Sequence, residues 1–108
     1  MSDTTIPKHF QSLKQRFPEV ISASEELGNT AKAAGPIDEK TAHLLQMAAG
    51  TAIRSHGAVR SHARRAFEAG ASTEELYHAV LVLISTLGFP VVAAAVGWID
   101  DVAEGADS

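Results

Sequence analysis

Cysteine is absent from all 108 residues. Disulfides, thiolate metal ligands and thiol redox chemistry all need that sulfur, so the three are excluded together. An excess of positive charge is missing as well. Nine Lys and Arg stand against 13 Asp and Glu, a formal net charge of -4, so no basic field exists to hold a phosphate backbone and nucleic acid is not an expected partner. Met1 to Phe10 is polar, with no apolar run behind a basic start. It does not read as a secretory signal, and a cytoplasmic location is the resulting expectation. No segment shows strand-length alternation bounded by turn residues, which leaves an all-α chain.

What is present fits one domain. The length lies within the usual allowance of roughly 100 to 200 residues per domain, and 45% hydrophobic with 20% charged residues is the balance of an ordinary packed chain. Ala79 to Ile99 carries no charge and is long enough to cross a bilayer as one helix. Gly88-Phe89-Pro90 interrupts it, and glycine after one helix with proline opening the next marks two shorter buried helices. No membrane partner is expected.

The same punctuation divides the chain into about six helices. Residues 1–36 read as an N-terminal helical arm, with a helix from Pro7 to Arg16 and a second opened by Pro18 and ended by Gly35-Pro36. Residues 37–104 form the core and 105–108 a tail. A third helix capped by Asp38 carries Ala42, Leu45, Ala49, Ala52 and Ile53 at helical spacing, with His43, Met47, Gly50 and Arg54 on the opposite stripe. The fourth stops at Gly70. Ser72-Thr73-Glu74-Glu75 is a capping box that starts a fifth, running to about Leu87, and Pro90 opens the sixth. Leu81, Leu83, Ile84, Val91, Val92 and Trp98 need more cover than so short a chain supplies, so a homo-oligomer is expected.

From Ile37 to Val96 the wording becomes specific. Ile37-Asp38-Glu39-Lys40-Thr41, Val59-Arg60-Ser61-His62-Ala63-Arg64-Arg65-Ala66, Glu68-Ala69-Gly70-Ala71-Ser72-Thr73-Glu74-Glu75-Leu76 and Gly88-Phe89-Pro90 closely resemble the carboxymuconolactone decarboxylase family, which includes the alkylhydroperoxidase D-like proteins. The resemblance covers somewhat more than half of the chain. It implies a small all-α protomer that assembles into trimers or hexamers. The peroxidase branch of that family carries Glu, eleven residues, Cys, two residues, Cys, three residues, His; here those places hold His43, Ser55, Ala58 and His62. Serine and alanine cannot form the catalytic disulfide, so the thiol peroxidase mechanism is excluded. The decarboxylase branch lacks the cysteine pair and has a similar Arg-any-His before a basic helix, which Arg60-Ser61-His62 followed by Arg64 reproduces. There the substrate is a small carboxylated lactone, and losing carbon dioxide from it requires an anion holder and a proton donor.

The resemblance brings His43, Ser55 and His62 into one pocket, where three chemistries stay open. Two imidazoles and a hydroxyl could hold a divalent metal, with His43 and His62 as its ligands. They could make a Ser–His nucleophilic pair without an acidic orienter, or an acid and a base around a bound ligand. A decayed site of mutually hydrogen-bonded residues is the fourth reading. If the chain is an enzyme, the expected chemistry is acid/base decarboxylation, or a related reaction, of a small carboxylated lactone or organic acid without a cofactor. His62 is then the proton donor, His43 its partner, Ser55 a hydrogen-bond donor, and Arg54 or Arg60 the carboxylate holder. The alternative is a binding or structural oligomer without turnover, descended from the peroxidase branch. Asp100, Asp101 and Glu104 read as a solvated helix end.

Overall fold

Pro18 forces the first boundary. The residue before a proline is driven out of the helical region, and Phe17 at φ -135, ψ 62 separates α1 (Lys8–Arg16) from α2 (Pro18–Ala33). The computed structural model describes residues 8–105. By its contacts the chain divides after Asp38. In the first unit α1 and α2 bury no residue fully, and an exposed Lys14–Glu25 pair at 3.8 Å bridges them.

The second unit holds α3 (Glu39–Ala52), α4 (His56–Glu68), α5 (Thr73–Leu81), the single turn α6 (Ile84–Leu87) and α7 (Phe89–Ala103). No strand occurs among the described residues. At the end of α4 the Ala71 amide donates to the Ala66 carbonyl at 2.9 Å and the Gly70 amide to the Phe67 carbonyl at 3.0 Å, with Gly70 at φ 101. This is the left-handed glycine stop the sequence announces. The Ser72–Glu75 capping box forms with both reciprocal bonds, 2.9 and 3.1 Å. Glu75 also receives Lys40 at 3.0 Å, tying the start of α5 to α3.

One expected helix is two. The fifth was expected to reach Leu87, but α5 ends at Leu81 and the bonding tightens there, the Leu83 amide donating to the Val80 carbonyl and the Thr86 amide to the Leu83 carbonyl, each at 3.0 Å. Val82 and Leu83 keep right-handed dihedrals, so the chain bends without glycine or proline, and no local residue type signals it. Gly88 at φ 95 then makes the turn into α7, and no described helix is long and apolar enough to cross a membrane.

The core is Met47, Val59, Ala63, Ala66, Leu76, Val80, Val92, Ala95 and Ile99; each of its large side chains contributes about 1.5–3 kcal/mol by leaving water. On α3 the core-facing stripe is the less apolar one. His43, Met47, Gly50 and Thr51 are buried, while Leu45 is 54% and Ile53 74% exposed. Close approach decides this: a Cβ on Gly50 would lie 3.0 Å from the Ala58 Cβ and 3.2 Å from the Val59 nitrogen. Thr51 satisfies its buried hydroxyl by donating to the Met47 carbonyl at 3.0 Å.

Candidate active site

Where α3 meets α4, two histidines touch. His43 Nδ1 lies 3.2 Å from His62 Nδ1, with ring centroids 5.5 Å apart and planes 30° from parallel. His43 is buried and His62 half-buried. A nitrogen–nitrogen contact of that length needs one ring to donate and the other to accept. Glu39, one turn before His43, places a carboxylate oxygen 3.8 Å from His43 Nε2. The carboxylate faces the ring nitrogen of His43 opposite the contact, and which ring donates across the 3.2 Å contact depends on the tautomer. The order is carboxylate, imidazole, imidazole. A proton entering at one end changes what the other end can do, so the two rings act as one unit.

The remaining expected residues fall into three situations. Ser55 is the N-cap of α4, its oxygen accepting from the Ala58 amide at 3.2 Å; the hydroxyl proton remains able to donate elsewhere. Arg60 points to α7 and pairs with Asp101 at 2.8 Å. Arg54 is exposed, sits in the turn between α3 and α4 at φ 56, and is the non-glycine residue with positive φ among the described residues. It lines a groove of about 360 Å³ with Pro90, Val91, Ala94 and Trp98. His56 packs edge-on against Trp98, centroids 5.4 Å apart. Apart from these, Gln46 Oε1 is buried with no hydrogen-bond partner among the described residues, three positions on from His43 along α3. Among the described residues no group of three or more His, Cys, Asp or Glu stands together to hold a metal.

The carboxylates at the end of α7 are not simply solvated. Asp100 accepts a hydrogen bond from the Tyr77 hydroxyl, and that bond, with partial burial, raises the phenol above its ordinary range. Asp101 holds Arg60. Tyr77 is on α5 and Arg60 on α4, so two adjacent acids clamp α7 to both neighbours.

The family model for carboxymuconolactone decarboxylases matches residues 18–101. The chain belongs to the carboxymuconolactone decarboxylase family. No curated protein matches the sequence. A solved apo structure of a carboxymuconolactone decarboxylase family protein from Legionella pneumophila superposes with a TM-score of 0.79, at 23% identity, over 95% of this chain and 97% of that one. The shared all-α fold is the one expected from the helix punctuation. For this carboxymuconolactone decarboxylase family chain, the sequence reading gave no role to Glu39 or Gln46 and left Asp101 in a solvated helix end. Glu39 could have been found, since it precedes His43 by one helical turn. Gln46 and Asp101 could not: an orphaned carbonyl and a partner 41 positions from Arg60 are visible only in three dimensions.

Proposed function

We propose that the protein performs acid/base chemistry on a small carboxylated lactone or related organic acid, with His62 as proton donor. The observation that carries this reading is the 3.2 Å contact between His62 and His43, backed by Glu39. Decarboxylation breaks the bond between a carbon and its carboxylate; the electron pair enters the unsaturated lactone, carbon dioxide leaves, and an imidazolium delivers a proton to that carbon. His62 is the half-buried member of the pair and so the one a ligand could reach, while buried His43 holds the ring in place and shares its proton. Gln46 Oε1 supplies an acceptor awaiting a donor. Ser55 keeps a hydroxyl proton to offer, and Arg54 or Arg60 would hold the carboxylate as a planar fork. No step calls for a cofactor.

Release of carbon dioxide from a panel of unsaturated lactone carboxylates, followed with the parent and with His62→Gln, tests this. General acid/base groups contribute about 10²–10⁴-fold. His62→Gln is expected to lose that much in kcat with its helical circular dichroism intact. A second reading, a ligand-binding oligomer without turnover, is favoured by one observation: Asp101 already neutralises Arg60. Under it, lactone carboxylates bind without consumption, and His62→Gln changes nothing that is released.

A further inference from the structure

The groove beside the α3–α4 turn has the makeup of a ligand site. It is lined by Pro90, Val91, Ala94 and Trp98 together with Arg54. The volume of about 360 Å³ lies inside the range of small-molecule sites. The Arg54 side chain has no hydrogen bond or ion pair among the described residues, and it is the cation that lines this groove. In a chain of net charge -4, a cation left uncompensated beside apolar walls is the complement of an anion with an apolar body. The backbone points the same way: Arg54 occupies φ 56, a left-handed conformation that is unfavourable to a side-chain-bearing residue and open to glycine. His56 packs against Trp98, with ring centroids 5.4 Å apart, and so supports that wall.

We infer that this groove binds a monocarboxylate with a flat apolar body, its ring against Trp98 and its carboxylate on Arg54. The assignment stands on the groove's own lining and does not rest on the acid/base reading. Polycarboxylates fit less well, since a single unpaired cation meets apolar surface on the remaining sides.

The chain contains a single tryptophan, so its emission reports this wall alone. Benzoate titrated into the full chain is expected to change Trp98 emission saturably. Benzamide, isosteric and neutral, is expected to bind about tenfold more weakly or worse, one charge-assisted contact being lost. Arg54→Gly suits φ 56 and keeps the fold while removing the cation, and it should weaken benzoate by the same factor; Arg54→Asn, which also tolerates that backbone, provides a second variant. No saturable change, equal binding of benzamide, or undiminished benzoate binding in both variants overturns the assignment. Emission that follows protein concentration and ignores benzoate also overturns it, because a second copy would then cover the groove. Benzoate binding without any lactone turnover sinks only the acid/base reading; turnover that depends on His62 with Trp98 unmoved by benzoate sinks only the groove.

Discussion

Gly50 and the His43–His62 pair depend on each other. The imidazole nitrogens can approach to 3.2 Å because α3 and α4 lie close, and they lie close because position 50 has no side chain to hold them apart. Gly50→Ala gains helix propensity of about 1 kcal/mol. It also forces a methyl group against the Ala58 Cβ and the backbone of Val59, where overpacking costs about 1–3 kcal/mol. The net expectation is a loss on the order of 1 kcal/mol in denaturant unfolding, together with a perturbed His62 ring resonance. An unchanged histidine spectrum would show that the pair does not need the close approach. At this scale the sequence was only partly readable. His43, Gly50 and Thr51 are less apolar than Leu45 and Ile53, yet they face inward. Hydrophobicity ranks side chains by transfer free energy, whereas the face of α3 turned inward is the one on which Gly50 allows α4 to approach.

The helix boundaries were the readable part, because they are set by local stereochemistry. Pro18, Gly70, Ser72 with Glu75, and Gly88 each act within a few residues of themselves, and each marks an observed end. The bend between α5 and α6 was not readable, since Val82 and Leu83 bring no stereochemical constraint of their own. The capping box yields a prediction belonging to this scale. The Ser72 amide, then Lys40, hold the Glu75 carboxyl below its ordinary value of 4.5. A depressed folded pKa means stability that is present above the unfolded value and lost as pH falls through the folded one. Glu75→Gln should therefore be less stable than the parent at pH 7, and the gap should close progressively below pH 4.5. Ser72→Ala removes the cap itself and should cost about 1 kcal/mol at neutral pH. Urea midpoints at neutral and acid pH check both, and a Glu75→Gln gap that persists in acid would mean the carboxylate is not its source.

Taken as a whole, the chain leaves much apolar surface in water. Leu45 and Ile53 on α3, Leu81 and Val82 at the end of α5, Ile84 on α6 and Phe89 on α7 are all exposed. Single exposed apolar residues are ordinary, but this many in a core of this size are what an assembly would cover. The trimer or hexamer that the family resemblance leads one to expect should sediment at three or six times the chain mass, and its melting temperature should rise with protein concentration. Leu45→Glu combined with Ile53→Glu replaces two side chains that contribute little to the protomer interior. The double variant should sediment as a single chain while keeping its helical signal; a parent that is already monomeric would remove the case for assembly.

The left-handed turn at Arg54 also has a genetic aspect. Every arginine codon becomes a glycine codon by one change in its first base, so the substitution that would relax φ 56 lies a single mutational step away. A residue placed there merely to connect two helices would be under steady pressure to become glycine. For Arg54 that step would relieve the backbone at the expense of the cation proposed to hold a carboxylate.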